Sequence, residues 1–143
     1  MATSNAATTY LEYRLLSYVF KNNAASFSSP GDSIYLGLAT AVSSAEAGSL
    51  TEASYTNYTR KQVTASGWTI SSSSTDTATV TNAANVEWSA SGTDGTSTIT
   101  HVFVADASSS GNFLFVGALD ASKAIAEGDI FRINAGNITI ELK

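Results

Sequence analysis

The alternation at the C-terminal end constrains this chain more than any other feature. Residues 98–143 read TITHVFVADASSSGNFLFVGALDASKAIAEGDIFRINAGNITIELK. Ile130, Arg132 and Asn134 alternate with Phe131, Ile133 and Ala135; Ile138, Ile140 and Leu142 alternate with Thr139, Glu141 and Lys143. A period of two sends successive side chains to opposite faces of a strand, one set buried and the other facing solvent or a partner. Residues 108–112, Gly128-Asp129 and Gly136-Asn137 punctuate the runs with turn-forming residues. The block is expected to be a meander of antiparallel strands.

Upstream, one helix is expected over residues 9–22. Thr9 and Glu12 have the spacing of a capping box, and Leu11, Leu15, Tyr18 and Val19 follow at helical intervals with Leu16 and Phe20 beside them. This stripe is expected to lie on the sheet as core. Arg14 and Lys21 supply too little charge for a helix that docks on a membrane surface. Residues 33–40 read as a buried strand, and residues 41–54 as a long polar connection of the kind that faces a partner. Residues 55–63 read as a strand with Tyr58, Arg60 and Gln62 on one side and Thr59, Lys61 and Val63 on the other. Residues 67–70 form a short strand or turn, 71–74 a solvated serine loop, and 75–81 an edge strand blunted by Asp76. Residues 86–88 are a short strand with Val86 and Trp88 buried, and residues 97–105 and 113–119 are longer strands.

This spacing yields about eight or nine strands, the interval of a sandwich or barrel. The expected fold class is therefore all-β in the main: an antiparallel, jelly-roll-like β-sandwich with one N-terminal α-helix. Residues 1–8, small and polar, read as a flexible arm, and residues 9–143 as a single domain. No internal repeat of fixed period is evident.

Size and charge narrow the function. A chain of 143 residues buries roughly 68–70% of its unfolded surface, so it needs no metal or disulfide to hold together. The absence of cysteine removes disulfides, a thiol nucleophile and cysteine-ligated metal centres. With charged residues at 13%, a net charge of −5 and seven scattered basic residues, the chain is a poor match for nucleic acid. Its polarity comes from Ser, Thr and Asn instead. The first residues, MATSNAATT, carry neither a basic nor an apolar signal region, and no apolar run has the length of a membrane span.

Candidate chemistry is thin. His101 is the only histidine, and on strand alternation it shares a face with Phe103 and Ala105 while Thr100, Val102 and Val104 take the other. A Ser–His–Asp centre would have to use it, yet no G-x-S-x-G elbow presents a serine. One histidine also cannot build the usual zinc site. Asp106, Asp120, Glu127 and Asp129 are the candidates for paired glycosidase carboxylates or a calcium site, but all sit at expected turns, where carboxylates cap backbone groups. Trp68, Trp88 and the tyrosines could stack a sugar, but so few aromatic residues are needed for the core. Asn57-Tyr58-Thr59 and Asn137-Ile138-Thr139 match glycosylation sequons, which matter only in a secreted eukaryotic protein. The reading is of a non-enzymatic protein with no catalytic, cofactor-binding or metal-binding residues and no cofactor.

Three stretches carry a resemblance. Ile34-Tyr35-Leu36-Gly37-Leu38 follows the helix; Tyr55, Tyr58, Arg60 and Val63 form a Y-x-x-Y-x-R-x-x-V strand; and Thr98-Ile99-Thr100-His101-Val102-Phe103 precedes Gly117-Ala118-Leu119, Gly128-Asp129 and Ala135-Gly136-Asn137-Ile138-Thr139-Ile140. In this order they resemble a family of small virion proteins of tailed bacteriophages, described as tail-fibre-like or as head decoration (cement) proteins. The resemblance runs from about Leu11 onward, and residues 71–81 match none of its motifs. It implies a β-sandwich virion component made in the bacterial cytoplasm, a homotrimer that binds the major capsid protein or other virion proteins, with no nucleic-acid or membrane partner. The leading expectation is a decoration protein on the outer surface of the capsid that stabilises contacts between capsomers. The alternative is a tail- or fibre-associated protein that recognises host carbohydrate. On either expectation the arm, the 41–54 connection and the solvent face of the C-terminal block are the partner-facing parts.

Overall fold

The β-branched and aromatic run around Phe103 builds the centre of the molecule, a long antiparallel hairpin. The computed structural model describes residues 5–21, 34–72, 78–89, 91–92 and 96–142. In chain order the elements are β1 (Ala6–Ala7), α1 (Thr9–Lys21), β2 (Tyr35–Ser44), β3 (Ser49–Glu52) and β4 (Lys61–Gln62). A short 3₁₀ turn, Ala65–Gly67, leads into β5 (Trp68–Ser72), β6 (Ala78–Asn82) and β7 (Val86–Glu87). The hairpin is β8 (Ser97–Ala105) and β9 (Phe113–Ile125), and β10 (Arg132–Ile133) and β11 (Thr139–Leu142) end the chain.

The main sheet has the order β1-β9-β8-β2-β3, with β4 also pairing β2. Its register explains its core. Leu36 lies opposite Val104 and Leu38 opposite Val102, so period-two alternation puts these four side chains on one face. That face meets a second layer made of the sheet β11-β6-β5 and the pair β7/β10. Trp88, Val86 and Phe131 are buried between the layers, with Trp68, Ile133, Ile138 and Ile140 packed around them. Trp88 meets the edge of Phe131 at 5.6 Å between ring centres. The arrangement is an all-β sandwich, as the alternation predicts.

The opposite face of the main sheet holds a smaller cluster of Ala39, Ala45, Phe103, Ala105 and Val116. Gly37 is required here. A Cβ at this position would lie 2.1 Å from Phe103 Cζ, so the ring lies directly across the glycine backbone.

Several elements differ from the sequence reading, each for a physical reason. The C-terminal block is not one meander. Its first two strands pair with each other, whereas β10 pairs β7 and β11 pairs β6; alternation dictates which face a residue takes and leaves its strand partner open. Residues 41–54 are mostly hairpin. β2 runs on to Ser44, turns through residues 45–48 with Gly48 at a φ of 64°, and returns as β3. Residues 78–81, the described part of the expected 75–81 edge strand, are no edge: β6 is flanked by β5 and β11, and its polar β-branched residues suit one wet face of a central strand equally well. Of residues 55–63 only Lys61–Gln62 is strand. Asn57, at a φ of 74°, makes a tight turn in which Tyr58 N–H donates to the Tyr55 carbonyl.

The arm gives way at Asn5. Ala6 and Ala7 pair with Val116 and Phe115, and Asn5 Oδ1 accepts from Ala118 N–H at 2.6 Å. Thr8 is buried, its N–H donating to the Leu114 carbonyl and its hydroxyl to the Phe113 carbonyl. Small residues with little side chain to order lie readily along the edge of β9, which satisfies backbone groups otherwise left unpaired. Residues 1–4 lie outside the described residues, as do the proline loop and the serine run beyond Ser72.

Candidate functional site

The residues singled out for chemistry do not converge. His101 is half-buried and its Nδ1 bonds to Thr100 Oγ1 at 2.8 Å; burial lowers its pKa below the ordinary imidazole value. Asp106 caps the β8–β9 turn, with Oδ1 accepting from Asn112 N–H at 2.7 Å and Oδ2 from Asn112 Nδ2 at 2.8 Å. Asp129 accepts from Ala126 N–H in the next turn, and Asp120 and Glu127 are exposed. Among the described residues no group of three or more His, Asp or Glu side chains stands close enough to hold a metal. Asp106 and Asp129 cap turns and Glu127 lies in one, but Asp120, expected at a turn, stands on an exposed position inside β9, because the strand runs on past residue 119 to Ile125. Trp88 is 1% exposed and Trp68 packs against the core, so both tryptophans are engaged in folding.

Arg60 proves to be a structural clamp. Its Nε and Nη2 donate to the two carboxylate oxygens of Glu52, each at 2.8 Å, and its Nη1 donates to the carbonyls of Ala107 and Ser110. The guanidinium stands 5.1 Å from the Phe103 ring centre and 5.4 Å from that of Phe113. The Glu52 hydrogen bonds raise its pKa further above the ordinary value. Tyr58 completes the group: its hydroxyl accepts from Leu38 N–H and donates to Glu52, and burial raises its pKa. The Tyr-x-Arg spacing thus ties β2, β3 and the β8–β9 turn together. Planar bidentate geometry is what an arginine supplies and a lysine does not.

An open groove of about 750 Å³ runs along β1, β8 and β9 on one side and β10 and β11 on the other. Val102, Phe115, Leu119, Ile133 and Ile140 floor it, and Asp120, Lys123, Arg132 and Glu141 lie along it. Arg132 is paired with Glu87. The floor is the incompletely covered edge of the sandwich core, with no converging polar groups to orient a small ligand.

The surface that needs explaining is α1. The helix begins one residue earlier than its capping box suggests, because Thr8 caps it: Leu11 N–H donates to Thr8 Oγ1 at 3.3 Å and Glu12 N–H to the Thr8 carbonyl. Thr9 N–H donates to the Glu46 carbonyl. The first turn is thereby fixed to the sheet. Tyr10 and Leu11 pack against the core, Arg14 is half-buried with its guanidinium 5.1 Å from the Tyr10 ring centre, and beyond it only Ser17 is half-buried. The apolar stripe expected to be core points the other way. Tyr13 is 66% exposed, Leu16 57%, Val19 60% and Phe20 76%, with Leu15 also exposed. No residue of the helix is fully buried. The sequence signal for this was present. Tyr10, Leu11, Tyr13, Leu15, Leu16, Tyr18, Val19 and Phe20 encircle the helix, and one sheet covers only one side of it. Among the described residues no helix is long and apolar enough to cross a membrane.

Comparison with known families resolves what kind of protein carries this surface. A family model described as podophage GP4 fiber I protein gp80 matches residues 6–141. The chain belongs to this family. The match spans the sandwich, the helix and the Arg60 clamp, and it bears out the resemblance carried by the three sequence stretches. Membership makes the chain a structural protein of a phage virion. A search of curated proteins finds no match.

Proposed function

We propose that this gp80-family chain is a fibre subunit: a rigid β-sandwich that works by binding other virion proteins and performs no catalysis. The observation that carries this reading is the outward apolar face of α1. Large apolar side chains left together in water mark a contact surface. The family's description as a fiber protein fits a fibre position at least as well as capsid decoration. Carbohydrate recognition gains little support from the tryptophans, since Trp88 is buried and Trp68 is half-buried against the core.

The decisive measurement is where the protein sits and how often. Antibody labelling of purified particles should decorate the fibre, with tens of copies or fewer per particle by quantitative mass spectrometry. Label over the shell with hundreds of copies would establish the decoration role and sink the fibre reading. Purified chain should release nothing from cell walls; hydrolysis abolished by His101→Ala would overturn the non-enzymatic assignment.

A further inference from the structure

We infer that the outward face of α1 is where copies of this chain meet, helix against helix. The inference rests on the reading of the chain as a structural subunit and names the partner of one of its surfaces. Tyr13, Leu15, Leu16, Val19 and Phe20 occupy one continuous arc of the helix at 100° per residue, each at least 42% exposed. Within it Tyr13, Leu16 and Phe20 have the i, i+3, i+7 spacing of a helix–helix seam.

Other occupants fit less well. The chain's own remaining segments are too poor in apolar residues: residues 22–33, NNAASFSSPGDS, bring only Phe27, and residues 1–4 bring only Met1. A membrane surface would require a cationic flank, but Arg14 is turned towards the sheet and Lys21 stands alone at the helix end.

A second copy fits on area and charge. Complete coverage of the five side chains would bury on the order of 1,000 Å² between two copies, the size at which a specific contact becomes stable. The chain carries a net charge of −5, whereas the helix holds Glu12 against Arg14 and Lys21, so copies meeting through α1 avoid bringing their acidic surfaces together. The patch is aromatic and aliphatic with one charge, Glu12, at its N-terminal end, so two copies meeting antiparallel keep their Glu12 side chains apart and need no opposite charge pattern.

Sedimentation velocity of the purified full chain tests this. The wild type should form a discrete oligomer at micromolar concentration, and L16K/F20K should sediment as a monomer with at least tenfold weaker association. Its circular dichroism and melting temperature should be unchanged, because neither side chain is in the core. The absence of cysteine gives a second test that does not depend on charge insertion. Under mild oxidation Phe20→Cys should trap a disulfide-linked dimer, while Ser66→Cys on the far 3₁₀ turn should not. A monomeric wild type, an oligomer that survives L16K/F20K, or equal cross-linking at both positions would overturn the inference. A monomeric wild type would point to another virion protein as the occupant, and a surviving oligomer to a contact elsewhere on the chain. None would bear on fibre position, which is read from labelled particles.

Discussion

At the scale of single residues the most heavily committed side chain is Arg60. It is buried, it spends four hydrogen bonds on two separate segments, Glu52 and the β8–β9 turn, and two phenylalanine rings flank it. Removing one partner of a buried pair leaves the other groups without compensation. Arg60→Met keeps much of the apolar contact but strands the Glu52 carboxylate and two carbonyls. Since Glu52 retains some solvent contact, the expected loss is about 3 kcal/mol, at the lower end for a broken buried pair. Urea denaturation checks it, with an unchanged slope and a lowered midpoint. Arg60→Lys should recover only part, because an ammonium cannot reproduce the planar fork. Tyr58, Arg60 and Glu52 were visible in the sequence as residues, but their purpose was not. They meet through a tight turn at Asn57 rather than along a strand face, and a positive φ at asparagine leaves little trace in residue type.

Elements show the same division between what pattern carries and what contacts decide. β8 begins and ends at the residues the sequence marks, because turn residues bound the run on both sides, although register shifts at Ile99/His101 and Val104/Ala105 break its alternation. The second layer was less legible, since its strands are short and paired across distant parts of the chain. Asn82 does much of that pairing. It is 2% exposed; its Nδ2 donates to the carbonyls of Ala84 and Asn134, and its Oδ1 accepts from Ile138 N–H. Asn82→Asp preserves shape but turns a carboxylate oxygen towards two carbonyls, an unpaired buried acceptor with an expected cost of about 3 kcal/mol at neutral pH. Burial and the facing carbonyls would raise the new carboxyl's folded pKa above its unfolded value. The folded state then binds more protons than the unfolded state, so the defect should shrink as pH falls below neutrality. Melting temperatures of variant and wild type should converge between neutral and mildly acidic pH; a constant gap would show that the site tolerates the charge. The helix was legible as an element and misread as to face, because a chain pattern read alone assumes that apolar means inside. In α1 the sandwich needs only Tyr10 and Leu11.

For the molecule as a whole, two terms oppose each other whenever copies approach: an acidic body with a net charge of −5 and a pI near 4.6, and an apolar helix face. Salt separates them. Between about 20 mM and about 300 mM the Debye length shrinks from roughly 20 Å to roughly 6 Å, which screens repulsion between bodies held apart by the width of their helices. The apolar contact does not depend on ion pairs and keeps its strength. Association through α1 should therefore tighten several-fold as sodium chloride rises over this range, read as a fall in the dissociation constant by sedimentation equilibrium. A contact built on complementary charges would weaken instead, and that outcome would move the interface from α1 to the charged rim of the groove around Asp120, Lys123 and Glu141. The L16K/F20K variant adds two positive charges to an acidic chain. It loses the apolar term while reducing self-repulsion, so its association should be weak at every salt concentration, with little slope.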